Sequence, residues 1–185
     1  MTNNDLLLRL RYALDIKDKD MLEIFKLGGM EVSKEELLKI LVKRTKADED
    51  NKLEALEDTS TEEEIDNADE NSIISCSNSM LETFLDGFII FKRGKQDQKE
   101  GTLHKKEKAI KDNKSVNNVF LKMLKIALSL TSEDIIEIME LAGATISKGE
   151  LSAVLRKEGH RNYKECGDKY IRNFLKGLAI KNRYM

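Results

Sequence analysis

Residues 3–42 of this chain align without a gap on residues 117–156, and sixteen of the 40 positions are identical. The matches include Asn3/Asn117, Asn4/Asn118, Leu10/Leu124, Ala13/Ala127, Asp20/Asp134, Gly29/Gly143, Ser33/Ser147 and Leu37/Leu151. A second block, 76–93, aligns on 166–183 through Cys76/Cys166, Phe84/Phe174, Leu85/Leu175, Gly87/Gly177 and Arg93/Arg183. The register changes by 24 residues between the blocks, so the first copy carries an insertion in its middle. A chain written twice must fold by a plan that both copies satisfy. Two copies of one supersecondary unit are therefore the governing constraint.

The periodicity inside each copy is helical. Leu6, Leu7, Leu10, Ala13 and Leu14 recur at helix spacing, with Asn3 or Asn4 as the expected N-cap. Phe120, Leu121, Leu124, Ala127 and Leu128 repeat the pattern. A second helix follows through Met21, Ile24, Phe25 and Leu27, or Ile135, Ile138, Met139 and Leu141. Gly29 and Gly143 fall just past its end, where a left-handed residue is favoured. Ser33 with Glu36, and Ser147 with Glu150, read as capping boxes that open a third helix. A fourth covers Met80–Phe91 and Tyr170–Lys181. The chain has no proline to interrupt these helices. The expected architecture is all-α: two tandem four-helix repeat units, packed together or joined as beads. The first unit spans 1–93, a basic linker 94–116, and the second unit 117–185.

Charge is segregated along the chain. Residues 46–75 hold twelve acidic residues against Lys46 and Lys52, with few large apolar ones. Such a stretch buries too little surface to offset its ordering entropy, so this insert is expected to be disordered. The linker, Lys-rich and starting at Gly94, suits a flexible connection. Residues 92–125 and 151–185 are strongly basic, which the overall net charge of −2 conceals. No apolar stretch reaches the ~18 residues of a membrane span, and the opening residues do not resemble a secretory signal. A cytoplasmic protein with no membrane partner is expected.

The paired asparagines opening each copy, the Gly–Ser–Glu punctuation, and Gly159-His-Arg-Asn-Tyr-Lys-Glu-Cys-Gly-Asp168 followed by Asn173-Phe-Leu-Lys-Gly-Leu178 resemble the YehS-like bacterial family, catalogued as domain of unknown function 1456. The resemblance covers nearly the whole chain outside insert and linker. It implies two such domains in tandem and a small bacterial cytoplasmic protein, and it brings no activity with it. The first copy departs from the pattern, because the acidic insert replaces the connection leading to Cys76. Any role of the His160–Tyr163 stretch therefore exists once.

Three constellations carry candidate chemistry. The basic second unit gathers Arg156, Lys157, His160, Arg161, Lys164, Lys169, Arg172 and Lys176, with Tyr163 able to stack on a base. Lys169, Arg172, Lys176 and Arg183 recur on one helix face, opposite Ile171, Phe174, Leu175 and Leu178. Clustered cations of this kind neutralise phosphates, giving salt-sensitive, largely sequence-blind binding to RNA or DNA. Asp134–Lys157 has the outline of a helix-turn-helix, but the mixed charge of Lys34, Glu35 and Lys39 in the first copy suits an ordinary hairpin better. Cys76 and Cys166 each precede a helix, and with His160 and Tyr163 suggest a thiol enzyme. Retention of the thiol in both copies, with the histidine in one, fits a packing role better. A zinc site lacks ligands, so no metal and no cofactor are expected. The preferred reading is a non-enzymatic polyanion-binding module. The alternatives are a protein–protein adaptor using an apolar groove between the repeats and, third, the Cys166/His160 enzyme.

Overall fold

The computed structural model describes residues 1–42, 73–94 and 109–184. The expected disorder of the acidic insert falls almost wholly outside those residues, as does most of the linker. Among the described residues there are eight helices and no strand: α1 (Asn3–Leu14), α2 (Asp18–Leu27), α3 (Lys34–Ile40), α4 (Asn78–Arg93), α5 (Val116–Ala127), α6 (Ser132–Leu141), α7 (Lys148–Leu155) and α8 (Asp168–Arg183). The first four and the last four are the two copies. α4 and α8 run two residues further at each end than the apolar pattern shows, because Ser77 caps α4 and polar turns close both helices.

The start of α1 differs from the expectation. Its N-cap is Thr2, not Asn3 or Asn4. The Thr2 hydroxyl accepts from Asp5 N–H at 3.2 Å and the Asp5 carboxylate accepts from Thr2 N–H at 2.8 Å. This reciprocal box satisfies the helix end and frees both asparagines to reach outward. The boxes at Ser33/Glu36 and Ser147/Glu150 form as expected. Gly29 and Gly143 take φ of 96° and 77° just beyond α2 and α6.

Within each copy, α2 lies against α4, and α6 against α8. Backbone contact is the reason for the paired glycines. A Cβ on Gly87 would stand 1.9 Å from the Ile24 carbonyl oxygen, and one on Gly177 1.7 Å from that of Ile138.

Between the copies, α1 packs on α8 and α4 on α5. Both pairs are parallel. At one end the Met1 ammonium meets Asp168, and Asn78 Nδ2 donates to Asn113 Oδ1 at 2.9 Å. At the other, Arg183 Nη1 donates to Tyr12 O at 3.3 Å and Arg93 Nη1 to Ile126 O at 3.4 Å. Arg93 matches Arg183, and Ile126 matches Tyr12, so the junction is isologous about a pseudo-twofold axis. Buried residues of both copies, from Leu6 to Ala179, form one continuous core. The repeats are therefore packed together and not beads. The end of the linker joins them: Ile110 is buried, and the Glu82 carboxylate accepts from the N–H groups of Ala109 and Ile110 at 2.8 and 3.4 Å.

Candidate polyanion-binding face

The connection from α7 to α8 carries most of the expected cations, and two asparagines of α5 hold it. Asn118 is buried; its Nδ2 donates to Val154 O at 2.8 Å and Lys164 O at 2.9 Å, and its Oδ1 accepts from Cys166 N–H at 2.9 Å. Asn117 donates to Cys166 O and to Asp168 Oδ1, both at 2.9 Å. One buried amide thus ties the end of α7 to the approach to α8. Lys164 N–H donates to Ala153 O at 3.1 Å and Tyr163 N–H to His160 O at 2.8 Å, while Gly159 turns the chain at φ 85°. The loop is a platform tied to the helices at Val154, Lys164 and Cys166 through Asn118. Asn3 and Asn4 build the same clamp in the first copy, where Asn4 donates to Ile40 O at 2.7 Å and Ile74 O at 2.8 Å. Those carbonyls bracket the acidic insert, so a single side chain draws together the two ends from which it departs.

On this platform the expected residues divide. Lys157, Arg161, Lys169 and Lys176 are exposed and have no carboxylate partner among the described residues. Arg156 is half-buried, with its guanidinium 3.2 Å from His160 Nδ1, which also accepts from Asn162 N–H at 3.2 Å. Lys164 is drawn to Glu150, 3.5 Å away. Arg172 is half-buried and its Nε lacks a hydrogen-bond partner. Tyr163 is half-buried; burial, then the charges of Glu158 and Glu165, push its hydroxyl pKa up. Arg183, on the same stripe of α8, turns away to lie 4.3 Å over the Tyr12 ring. Lys157, Arg161, Lys169 and Lys176 thus stay exposed, Lys164 shares a surface ion pair with Glu150, and Arg183 is engaged across the junction between the repeats.

The cysteine constellation dissolves. Cys76 and Cys166 are 5% and 2% exposed, and burial pushes both thiols up to about 12. Neutral buried thiols are poor nucleophiles and poor ligands. His160 sits exposed with Nδ1 already occupied. The hairpin outline of α6 and α7 offers no free cation at its second helix either. Lys148 pairs with Glu133 at 2.7 Å, and Glu150 serves the cap and Lys164.

Between the repeats a polar cleft of about 580 Å³ opens at the shared N-terminal end of α1, α4, α5 and α8, lined by Asn3, Asn117, Asn78, Ser77 and Asp168 among others. Burial disfavours ionisation of Asp168, but hydrogen bonds from the N-terminal ammonium and Asn117 outweigh it and lower its pKa. A second cleft, at the C-terminal ends of α4 and α5, gathers Arg93, Lys122 and Lys125. Sequence reasoning placed these only inside a broadly basic segment. The usable signal was in the repeat alignment, where Lys122 stands opposite Leu8.

Two four-helix repeats clasped about a pseudo-twofold axis, each closed by a buried asparagine, define a tandem-repeat helical protein. The chain belongs to the family described as "Protein of unknown function (DUF1456)", which matches residues 3–94 and 117–183. It is 32% identical over 182 residues to "Uncharacterized protein YehS" of Escherichia coli (strain K12), across 98% of this chain and 96% of that protein. No solved structure matches it. Among the described residues no helix is long and apolar enough to cross a membrane.

Proposed function

We propose that this protein is a non-enzymatic binding module that holds RNA or DNA on the cationic face of its second repeat. One observation carries the reading. Where α4 presents Ser79, Glu82 and Asp86, the matched positions of α8 are Lys169, Arg172 and Lys176. The α4 face is acidic and its Glu82 holds the linker. The α8 face is cationic, and it adjoins in sequence the hydrogen-bonded loop bearing Lys157 and Arg161. Matched positions with reversed charge are hard to attribute to packing, since the backbone plan is the same. Cations without carboxylate partners are available to displace counterions from a phosphate backbone.

The test is a filter-binding titration with single-stranded RNA and with duplex DNA at two salt concentrations. The expected result is affinity that falls steeply with salt. The double variant Lys169→Glu, Lys176→Glu, at exposed positions, lowers low-salt affinity at least about tenfold and reduces the salt slope by about two contacts. Wild-type protein that binds neither nucleic acid at low salt refutes the reading.

The acidic insert adds a regulatory element to this proposal. A tethered acidic segment competes for the same cations at high effective concentration. Deleting it tightens low-salt binding; unchanged affinity removes the idea. The clamp dictates where the deletion ends. Ile74 donates to Lys39 O at 3.3 Å and accepts from Asn4, so residues 46–72 can go while Ile73 and Ile74 stay.

A further inference from the structure

The pseudo-twofold axis relates two corners at the C-terminal end of the central helices, and their chemistry differs. One lies between α1 and α8. There Arg11 Nε donates to Ile16 O at 3.3 Å and the same guanidinium pairs with Asp18. Arg183 covers the Tyr12 ring, and Asp15, paired with Lys17 at 2.8 Å, also feels Arg183 and Arg11. That corner has an aromatic lid and two carboxylates for its cations.

The other corner lies between α4 and α5. Lys125 replaces Arg11 and repeats its task, donating from Nζ to Leu130 O at 2.7 Å. Ser132 replaces Asp18, Ser129 replaces Asp15 and Ile126 replaces Tyr12. Lys122 replaces Leu8, adding a cation where the first copy has none. The result is an open cleft of about 470 Å³ with Arg93, Lys122 and Lys125 on its walls, Ile126, Leu130 and Leu155 as its apolar part, and no acidic residue in its lining. The nearby Asp134 lies outside the lining; it accepts from the Thr131 N–H and hydroxyl at 2.7 and 2.8 Å, and its charge also feels Lys181 and Lys125. Helix C-termini attract cations, but the dipoles amount to about half a charge each. The first corner has the same helix ends and also three cations, Arg11, Lys17 and Arg183, but there two carboxylates, Asp15 and Asp18, pair with them.

We infer that the Arg93–Lys122–Lys125 cleft binds a small phosphorylated molecule of nucleotide size. The three cations meet its phosphates and the apolar wall takes its non-polar part. A cleft of this volume falls in the range of small-molecule sites, which combine apolar lining with a few placed charges. This site is separate from the α8 face and does not depend on it.

The experiment is calorimetric titration of the full chain with ATP and, separately, with pyrophosphate. Two variants convert the cleft toward its partner corner: Lys122→Leu and Ser129→Asp. Both residues are already accommodated at the matched positions Leu8 and Asp15. Asp15 and Ser129 also share a left-handed backbone, φ 50° and 54°. Binding of ATP more tightly than pyrophosphate, weakened about tenfold by each variant, is the expected result. No binding of either probe, or binding that both variants leave unchanged, overturns the inference. Equal affinity for the two probes overturns the nucleotide-sized ligand. A single-stranded oligonucleotide whose affinity falls with these variants, while ATP does not bind, assigns the cleft to the nucleic-acid surface and overturns a small-ligand site.

Discussion

The first repeat is finished inward and the second outward. In the first, Phe25 meets Phe84 edge-on at 5.0 Å, and Phe84 stacks with Phe88 at 6.2 Å. The matched residues in the second are Met139, Phe174 and Leu178, which keep the volume and lose the aromatic cluster. Gly28 lets α2 close on α4 at a second level, where a Cβ would stand 2.0 Å from Thr83 O. Its counterpart is Ala142. On the outside the contrast reverses. At matched surface positions, Glu82 and Asp86 of α4 stand where α8 has Arg172 and Lys176, Leu8 stands where α5 has Lys122, and Glu82 holds the end of the linker on the first repeat. A duplicated backbone separates what the fold requires from what one copy is free to change. Both copies keep the asparagine clamp, the close-approach glycine and the buried thiol; surface charge diverges.

The largest predicted effect tests the clamp. Asn118→Ala leaves Cys166 N–H and the carbonyls of Val154 and Lys164 without their partner. Orphaned buried groups cost about 1–3 kcal/mol each, so a loss of roughly 3–5 kcal/mol is expected in urea unfolding. Asn4→Ala should match it, since the bonds are the same. A loss much below about 1 kcal/mol in either variant would mean that water replaces the amide, and the clamp would no longer define the repeat.

Glycine substitutions come next. Gly87→Ala and Gly177→Ala each drive a Cβ into a carbonyl oxygen, which forces the helices apart and should cost about 2–3 kcal/mol. The informative pair is Gly28→Ala and Ala142→Gly. Gly28→Ala should destabilise by a similar amount, because the Thr83 carbonyl is backbone and cannot swing aside. Ala142→Gly should cost under about 1 kcal/mol, the ordinary helix-end penalty. Equal effects would erase the claim that the first repeat is the tighter one. A smaller gain is expected from Lys17→Thr. α2 lacks a side-chain cap, whereas its counterpart α6 has Thr131 and Asp134. Asp20 already stands at the matching position, so the variant should add about 1 kcal/mol to thermal stability.

Much of this architecture is legible before any coordinates. Apolar spacing and capping boxes give all eight helices, because periodicity and local caps are short-range signals. The clamp asparagines are visible as repeated residues but not as a clamp. An asparagine at a helix start is read as an N-cap, and only the three-dimensional neighbours show that Thr2 takes that role. Gly87 and Gly177 are similar: their meaning lies in a carbonyl of another helix. For the candidate face, the sequence supplies the cations but not their partners. Lys164 and Arg183 look equivalent to Lys169 until Glu150 and Tyr12 come into view.

The smallest effect concerns the N-terminal cleft, where the copies differ by one charge. Asp168 pairs with the Met1 ammonium; its counterpart Asn78 pairs with Asn113. The folded protein lowers the Asp168 pKa below the ordinary 3.8, so folding favours its ionised form. That contribution is complete above the ordinary value and is lost as pH falls through the lowered one. Asp168→Asn converts the second repeat to the first at this point. It should leave unfolding near pH 7 little changed, since the pair is partly exposed and screened. It should also flatten the decline of stability below about pH 4 relative to the wild type. A variant whose acid unfolding curve overlays the wild type would show that the carboxylate adds nothing that Asn78 does not already supply on the other side of the axis.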